Sequence, residues 1–342
     1  MLGEINSTML PFALSELLIK FMTIIWLASI LDYLIGDPKN WFHPVQLIGW
    51  IIEKSVNFVI HQTENKTVRK IAGVILGLVL VLGSGVITWL IIYLLSRVNF
   101  WLGFVFQVIL LASCFAGRSL SDAAEDVLSA LKENNLSEAR HRLSFYVGRD
   151  TDNLSTEEIY RAVLETVSEN ATDGVTAPLF YALLGSFIPI VGCVPSAIAY
   201  KTLSTLDSMI GYKREPYQDI GWFSAKWEDY ITWLPCRLTV LTLGLISLNP
   251  IYNIKECRKY AIQDPSPNSG WSEGIYAVIL KVQLGGENSY QGVKKFKPLL
   301  GKPEREIDET VIKKALFLTR FCFLLWLLLG VLIFSITYLS LS

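Results

Sequence analysis

The sequence predicts an all-α, polytopic membrane protein with about five transmembrane helices, further re-entrant or interfacial helices, and a cytoplasmic helical segment. Three observations predict it. Of 342 residues, 52% are hydrophobic and only 18% are charged, where an ordinary soluble domain carries about 25% charged residues. The deficit is concentrated: residues 71–95, 98–117, 174–200 and 321–342 hold no Asp, Glu, Lys or Arg. A hydrocarbon core about 30 Å thick needs roughly 20 such residues at about 1.5 Å each. Finally, Lys and Arg crowd one side of these runs, as the positive-inside rule requires.

Taken in order, residues 17–36 form a first span, interrupted by Lys20 and Asp32. A signal peptide would want a basic start and a small-residue cleavage site; Glu4 precedes this run, which leads straight into a polar motif, so it reads as a retained helix. Spans 71–95 and 98–117 are joined by a very short turn at Ser96 and Arg97 and form an antiparallel hairpin. Lys66, Arg69, Lys70 and Arg118 flank its other side, which is expected to be cytoplasmic. Residues 118–173 read as cytoplasmic helices. Residues 174–200 carry Pro178, Pro189 and Pro195, which break the hydrogen-bond ladder, so this span is broken or re-entrant. Residues 233–254 are a short span, 255–316 a cytoplasmic loop region behind Arg305, Lys313 and Lys314, and 317–341 the last crossing. The whole chain, 1–342, reads as a single membrane-embedded domain in the cell membrane, its polar loops facing the cytoplasm.

A net charge of −1 implies no attraction for nucleic acid. Cys114, Cys193, Cys236, Cys257 and Cys322 form no CxxC pair and read as core or lipid-facing thiols. His43, His61 and His141 lack zinc spacing, and the chain contains neither a P-loop nor a GxGxxG fingerprint.

Candidate chemistry sits in the polar segments. Residues 119–133 have helical spacing, with Leu120, Ala123, Val127, Ala130 and Leu131 on one side. Ser155 followed by Glu158 is a capping box. Behind it Arg161, Glu165 and Glu169 recur every four residues on one face, running into Asn170, Asp173 and Gly174 at the edge of an apolar run. Such a row is either a solvated ladder or a face that holds something. Further polar clusters flank apolar runs: Gly36, Asp37, Pro38 and His43; Arg149 and Asp150; Lys201, Asp207 and Lys213; Asp219 and Asp229; Asn268, Ser269 and Glu273; and Gly285, Gly286, Asn288 and Tyr290. The glycine pair reads either as a plain turn or as a backbone nest for phosphate.

Four blocks carry a resemblance. They are LDYLIGDPKNWFHPVQLIGWIIEK (31–54), YVGRDTDNLSTEEIYRAVLETVSENATDGVTAPLFYALLG (146–185), AYKTLSTLDSMIGYKREPYQDIGWFSAKWEDYITWLPCRLT (199–239) and DPSPNSGWSEGIYAVILKVQLGGENSY (264–290). In order and spacing they resemble the adenosylcobinamide-phosphate synthase family of cobalamin biosynthesis, the CobD/CbiB proteins; Phe42, Gln46 and the longer stretch 186–197 depart mildly. The resemblance implies an acid–amine ligase joining aminopropanol, or its phosphate, to the propionate carboxylate of adenosylcobyric acid. ATP and Mg²⁺ are the expected cofactors, activating the carboxylate as an acyl phosphate. Membrane lipid and other corrin-pathway enzymes are the expected partners.

Carried onto this chain, the resemblance puts catalysis on Glu165, Glu169, Asp173, Asp207 and Asp229, the first three also holding metal. Substrate or nucleotide falls to His43, Arg149, Asp150, Asn170, Lys201, Lys213, Asp219, Asn268, Ser269, Glu273, Asn288 and Tyr290. Two other classes stay open: a transporter, since polar residues beside broken spans suit transport, and a non-catalytic scaffold of the corrin pathway.

Overall fold

The computed structural model describes residues 9–37 and 43–341. Glu4, Pro38 and Phe42 lie outside these. The chain is helical, in the order α1 (Met9–Ile35), α2 (Pro44–Gln62), α3 (Lys66–Val98), α4 (Phe100–Ala112), α5 (Gly117–Lys132), α6 (Leu136–Leu143), α7 (Thr156–Asn170), a π-helix (Ala171–Thr176), α8 (Ala177–Ser186), α9 (Cys193–Ile210), α10 (Tyr217–Ile220), α11 (Trp222–Ile246), α12 (Pro250–Ala261) and α13 (Ser269–Leu280). A hairpin of β1 (Gln283–Tyr290) and β2 (Val293–Gly301) follows, then α14 (Glu309–Leu341). Among the described residues four helical stretches are long and apolar enough to cross a bilayer: Glu16–Ile35, Lys66–Val98, Phe100–Lys132 and Glu309–Leu339. They match the predicted spans 17–36, 71–95, 98–117 and 317–341 to within two residues at the overhanging ends. The proline-rich 174–200 resolves into the end of the π-helix, α8, a turn and the start of α9, while 233–254 covers the end of α11 and the start of α12.

The chain divides into two compact units: residues 1–116, 178–230 and 324–342, and residues 117–177 and 231–323. In the first, Ile52 and Val56 of α2 pack with Leu206 and Ile210 of α9 and Ile220 of α10. Close helix approach depends on small residues: a side chain on Gly73 would collide with the Ile220 carbonyl, and one on Gly77 with the Phe223 ring. The outward face of α3 leaves Ile75, Val79, Leu82 and Val86 exposed, a pattern that lipid satisfies.

The second unit holds most of the buried polar chemistry. The capping box forms as expected, with Ser155 N–H donating to Glu158 at 2.7 Å and Glu158 N–H donating to Ser155 Oγ at 3.3 Å. On α5 the buried stripe is Leu120, Ala124, Val127, Leu128 and Ala130, rotated slightly from the predicted one. Hydroxyls tie α7 and the π-helix to α13 and α11. Ser272 Oγ donates to the Ser168 carbonyl at 2.6 Å and lies 2.8 Å from Thr172 Oγ1, and Thr176 Oγ1 is 2.7 Å from Thr239 Oγ1. All five described cysteines are free and buried.

The hairpin was not anticipated. Its strands pair antiparallel, with Gly286 opposite Lys297, Asn288 opposite Lys295 and Tyr290 opposite Val293. The two-residue loop Gln291–Gly292 has φ of 52° and 77°, the doubly positive geometry that matches strand twist. A bulge between Leu284 and Gly286 shifts the register, and Gly285 and Gly286 both have positive φ, 85° and 89°. A side chain at Gly285 would also strike the Pro298 carbonyl oxygen, whereas Gly292 faces open space. Gly292→Ala therefore loses about 1 kcal/mol, the strain of a positive φ alone. Gly285→Ala should lose clearly more and expose the strand amides, read by thermal unfolding and hydrogen exchange over 283–301. Equal effects of the two substitutions would show that the bulge does not require glycine.

Candidate active site

The row on α7, spaced every four residues, meets the hairpin through Arg161 and Glu165. Glu165, only 2% exposed, forms an ion pair with Arg149, and its second oxygen accepts the Gly285 N–H at 2.8 Å. Arg161, one turn earlier, donates to the Gly285 carbonyl and, at 3.0 Å, to the Glu287 carbonyl. Arg149 completes the set by donating to Asn288 Oδ1 at 2.8 Å. The expected ladder is thus a clamp: Arg161 and Glu165 grip the donor and acceptor of one strained glycine. Burial would pull the Arg149 guanidinium down, but Glu165 holds it above its ordinary value. The glycine pair serves as a bulge whose Gly285 N–H is given to a side chain, which answers the choice between turn and phosphate nest at that amide.

Below the clamp lies a second ion pair. Glu273 of α13 is fully buried and bonded to Lys297 of β2 at 2.7 Å. Burial pushes the Glu273 carboxyl up to about 8; Lys297 opposes the shift while Glu169 and Glu165 add to it. Burial also pulls on the Lys297 ammonium, yet Glu273, Glu169 and Glu165 hold it above the usual lysine range. Glu169 is exposed and acts on both partners. Three carboxylates from two helices therefore surround one strand lysine.

The expected metal trio of Glu165, Glu169 and Asp173 does not form. Among the described residues no three His, Cys, Asp or Glu side chains converge on one metal-binding position. Glu165 is already engaged on both oxygens, and the π-helical bonding that begins at Ala171 takes Asp173 out of the four-residue phase. Asp173 instead lies near Cys236 of α11, whose thiol is raised first by burial and further by this carboxylate. Asn170 turns back to the Thr166 carbonyl at 3.0 Å. Ser269 Oγ donates to Asp264 at 3.4 Å, and Asn268 starts α13, its carbonyl receiving the Cys236 thiol at 3.4 Å. Tyr290 lies under Lys295, 5.7 Å from ring centre to ammonium.

Asp150 is also occupied by structure. Its carboxylate accepts Ser289 Oγ at 2.5 Å and the amides of Gln291 and Gly292 at 2.9 and 2.8 Å, pinning the hairpin turn.

The remaining candidates belong to the other unit. His43 Nδ1 accepts the Val45 amide at 3.3 Å, capping α2, so Nε2 carries the proton and donates to Asp37 at 2.9 Å. Asp207 and Lys201 sit on α9, and the Asp207 carbonyl accepts the Gly211 amide at 2.7 Å. Asp219 keeps one buried oxygen without a hydrogen bond. Burial raises the Asp229 carboxyl against the pull of Lys226 and Lys213.

Sequence reasoning missed Lys297 and the hairpin that carries it. The signal was present: a Gln-Gly pair between two short segments, the second alternating Lys295 and Lys297 on one face. The segment falls within the predicted loop region 255–316.

Similarity decides the family. Residues 25–319 match the model of the CobD/CbiB proteins. The chain belongs to the CobD/CbiB family. A cobalamin biosynthesis protein CobD of Synechocystis is 53% identical over 303 residues, covering 89% of each chain. The cobalamin biosynthesis protein CbiB of Salmonella arizonae is 40% identical, over 86% of this chain and 92% of its own. The CobD protein of Halalkalibacterium halodurans is 40% identical, over 83% and 89%. No solved structure matches the chain significantly.

The Asp150 tie makes the turn pH-sensitive. Hydrogen bonds from Ser289 and the Gly292 amide hold this carboxyl below its usual value. Its contribution is full above the ordinary aspartate range, about 3.9, and is lost as pH falls through the lower folded value. Amide exchange at Gln291 and Gly292 should accelerate on acidification below that range, beyond the intrinsic pH trend. In Asp150→Asn the excess should vanish; its persistence would place the titrating group elsewhere.

Proposed function

We propose that this chain is a membrane-embedded enzyme of cobalamin biosynthesis that joins aminopropanol, or its phosphate, to the propionate carboxylate of adenosylcobyric acid. The observation that carries the reading is the Glu273–Lys297 pair with Glu169 beside it, within a family whose curated relatives are named cobalamin biosynthesis proteins. Amide formation from a carboxylate and an amine needs three things of a site: charge to hold the amine, a group to take its proton, and an environment that excludes bulk water. Glu273 is buried, has a carboxyl that takes up protons near neutrality, and is backed by a lysine that fixes its position.

ATP with Mg²⁺ would supply the activation that makes the amide bond form downhill. The donor set fits such a cation, because Mg²⁺ is usually held by one or two carboxylates together with substrate phosphates rather than by an all-protein cage. Glu169, exposed and next to the buried pair, is the residue that would hold it. Arg149 and Arg161 act at a distance from the chemistry by keeping the hairpin, and therefore Lys297, in register.

The test is ligation by the purified, reconstituted chain. Corrinoid acid, aminopropanol phosphate and ATP together should give the amide, and nucleotide should be hydrolysed only when acid and amine are both present. Amide formed at full rate without nucleotide would refute the activation. Corrinoid moved across the bilayer without covalent change would replace the enzyme with a transporter.

A further inference from the structure

Besides Arg161 Nε in the clamp, two buried side-chain atoms of this region make no hydrogen bond: Glu273 Oε2 and Asn288 Nδ2. They are opposite in kind. Glu273 is fully buried, and Lys297 uses only its other oxygen. Asn288 is 4% exposed, and its Oδ1 receives Arg149. A guanidinium only donates, so the amide orientation is fixed and the atom left over is the N–H₂ donor. The cluster thus presents one unmet carboxyl oxygen and one unmet neutral donor, both out of solvent, where an unmet polar group is costly.

The hairpin register sets Asn288 beside Lys297, the lysine that holds Glu273. Asn288 lies two residues beyond Gly286, and Gly286 pairs with Lys297. Asn288 and Lys297 therefore share one face of the hairpin as diagonal neighbours, roughly 7–8 Å apart at the backbone, and Lys297 holds Glu273. The charged groups around this point are Arg161, Glu165 and Glu169 from α7, Glu273 from α13, Lys297 from β2, and Arg149 from the segment before α7. Carboxylates outnumber the cations in direct contact with them, since only Glu165 and Glu273 have an ion-pair partner here.

We propose that Glu273 Oε2 and Asn288 Nδ2 form the amine subsite: Glu273 accepts from a primary ammonium, and Asn288 donates to the hydroxyl or phosphoryl oxygen on the neighbouring carbon. The ligand class is a vicinal amino alcohol or its phosphate ester. The assignment deepens the proposed ligation by naming the residues that select its amine. A plain alkylamine satisfies one of the two atoms, a plain alcohol the other, and only a bifunctional ligand satisfies both.

Calorimetry on the purified full-length chain, without nucleotide or corrinoid, tests the subsite with three probes: 1-aminopropan-2-ol, its phosphate, and propylamine. The parent should bind both amino alcohols saturably, and propylamine more weakly. Glu273→Gln keeps the shape and removes the charge; it should weaken all three probes by about tenfold or more. Asn288→Ala should weaken the two amino alcohols several-fold and leave propylamine nearly unchanged. Asn288→Asp, which keeps the side chain's size, provides a second arm should the alanine variant fail to fold, and should penalise the phosphate more than the alcohol. No saturable binding to the parent would mean that the two atoms hold only water, and parental affinities in both Glu273→Gln and a folded Asn288 variant would place the amine elsewhere; either result overturns the subsite. Binding readouts separate this from the ligation itself: intact amine binding without amide formation overturns the reaction and leaves the subsite, and amide formation without these affinity losses does the reverse.

Discussion

The buried carboxylate of Glu165 is the constraint on which the site depends. Taking it out of water is unfavourable unless every lone pair is met, and here one oxygen meets Arg149 while the other meets the Gly285 amide. Such a pair is poor evidence of net stability, but removing one partner of a buried pair costs about 3–5 kcal/mol. The pair dictates a bulge that only glycine can form, and the bulge sets the register that puts Lys297 opposite Gly286. Lys297 in turn makes a fully buried Glu273 tolerable. Four contacts, each requiring the last, lead from a helix face to a buried carboxyl that burial raises above its ordinary value.

That chain of contacts divides the α7 row by function. Arg161 and Glu165 are spent on architecture, whereas Glu169, one turn later, is exposed beside Glu273 and Lys297. The π-helix that starts at Ala171 accentuates the division. Its widened bonding frees Thr172 and Thr176 to reach Ser272 and Thr239 and turns Asp173 toward Cys236. π-Helical turns recur at functional sites because they redirect side chains without ending a helix, and this one separates a carboxylate near the lysine from one that is not.

The helices were legible in the sequence because their signals are local. Uncharged runs, the Ser155–Glu158 capping box and the period of α5 each specify an element from neighbouring residues, and each formed. The α7 face was legible too, as a spacing, but its purpose was not. Whether Glu165 coordinates a ligand or clamps a strand depends on residues more than a hundred positions away, Gly285 and Asn288 among them, and no spacing within α7 encodes that. Asp150 shows the same limit: it reads as one polar residue in a cluster with Arg149, while the amides it binds belong to a turn near residue 291. The hairpin was hidden by composition, because a strand whose exposed face is lysine resembles a solvated loop.

The division of labour on α7 is tested most directly by Glu169→Gln, with turnover measured alongside hydrogen exchange across the hairpin and Glu157→Gln, off this face, as control. The substitution keeps the side chain's shape and leaves both ion pairs untouched. Hairpin protection should match the parent while turnover falls by roughly 10²-fold, the scale expected for losing a group that acts on the reacting centre. Parental turnover in a folded Glu169→Gln protein would contradict the account and return the whole α7 row to the role of a structural ladder.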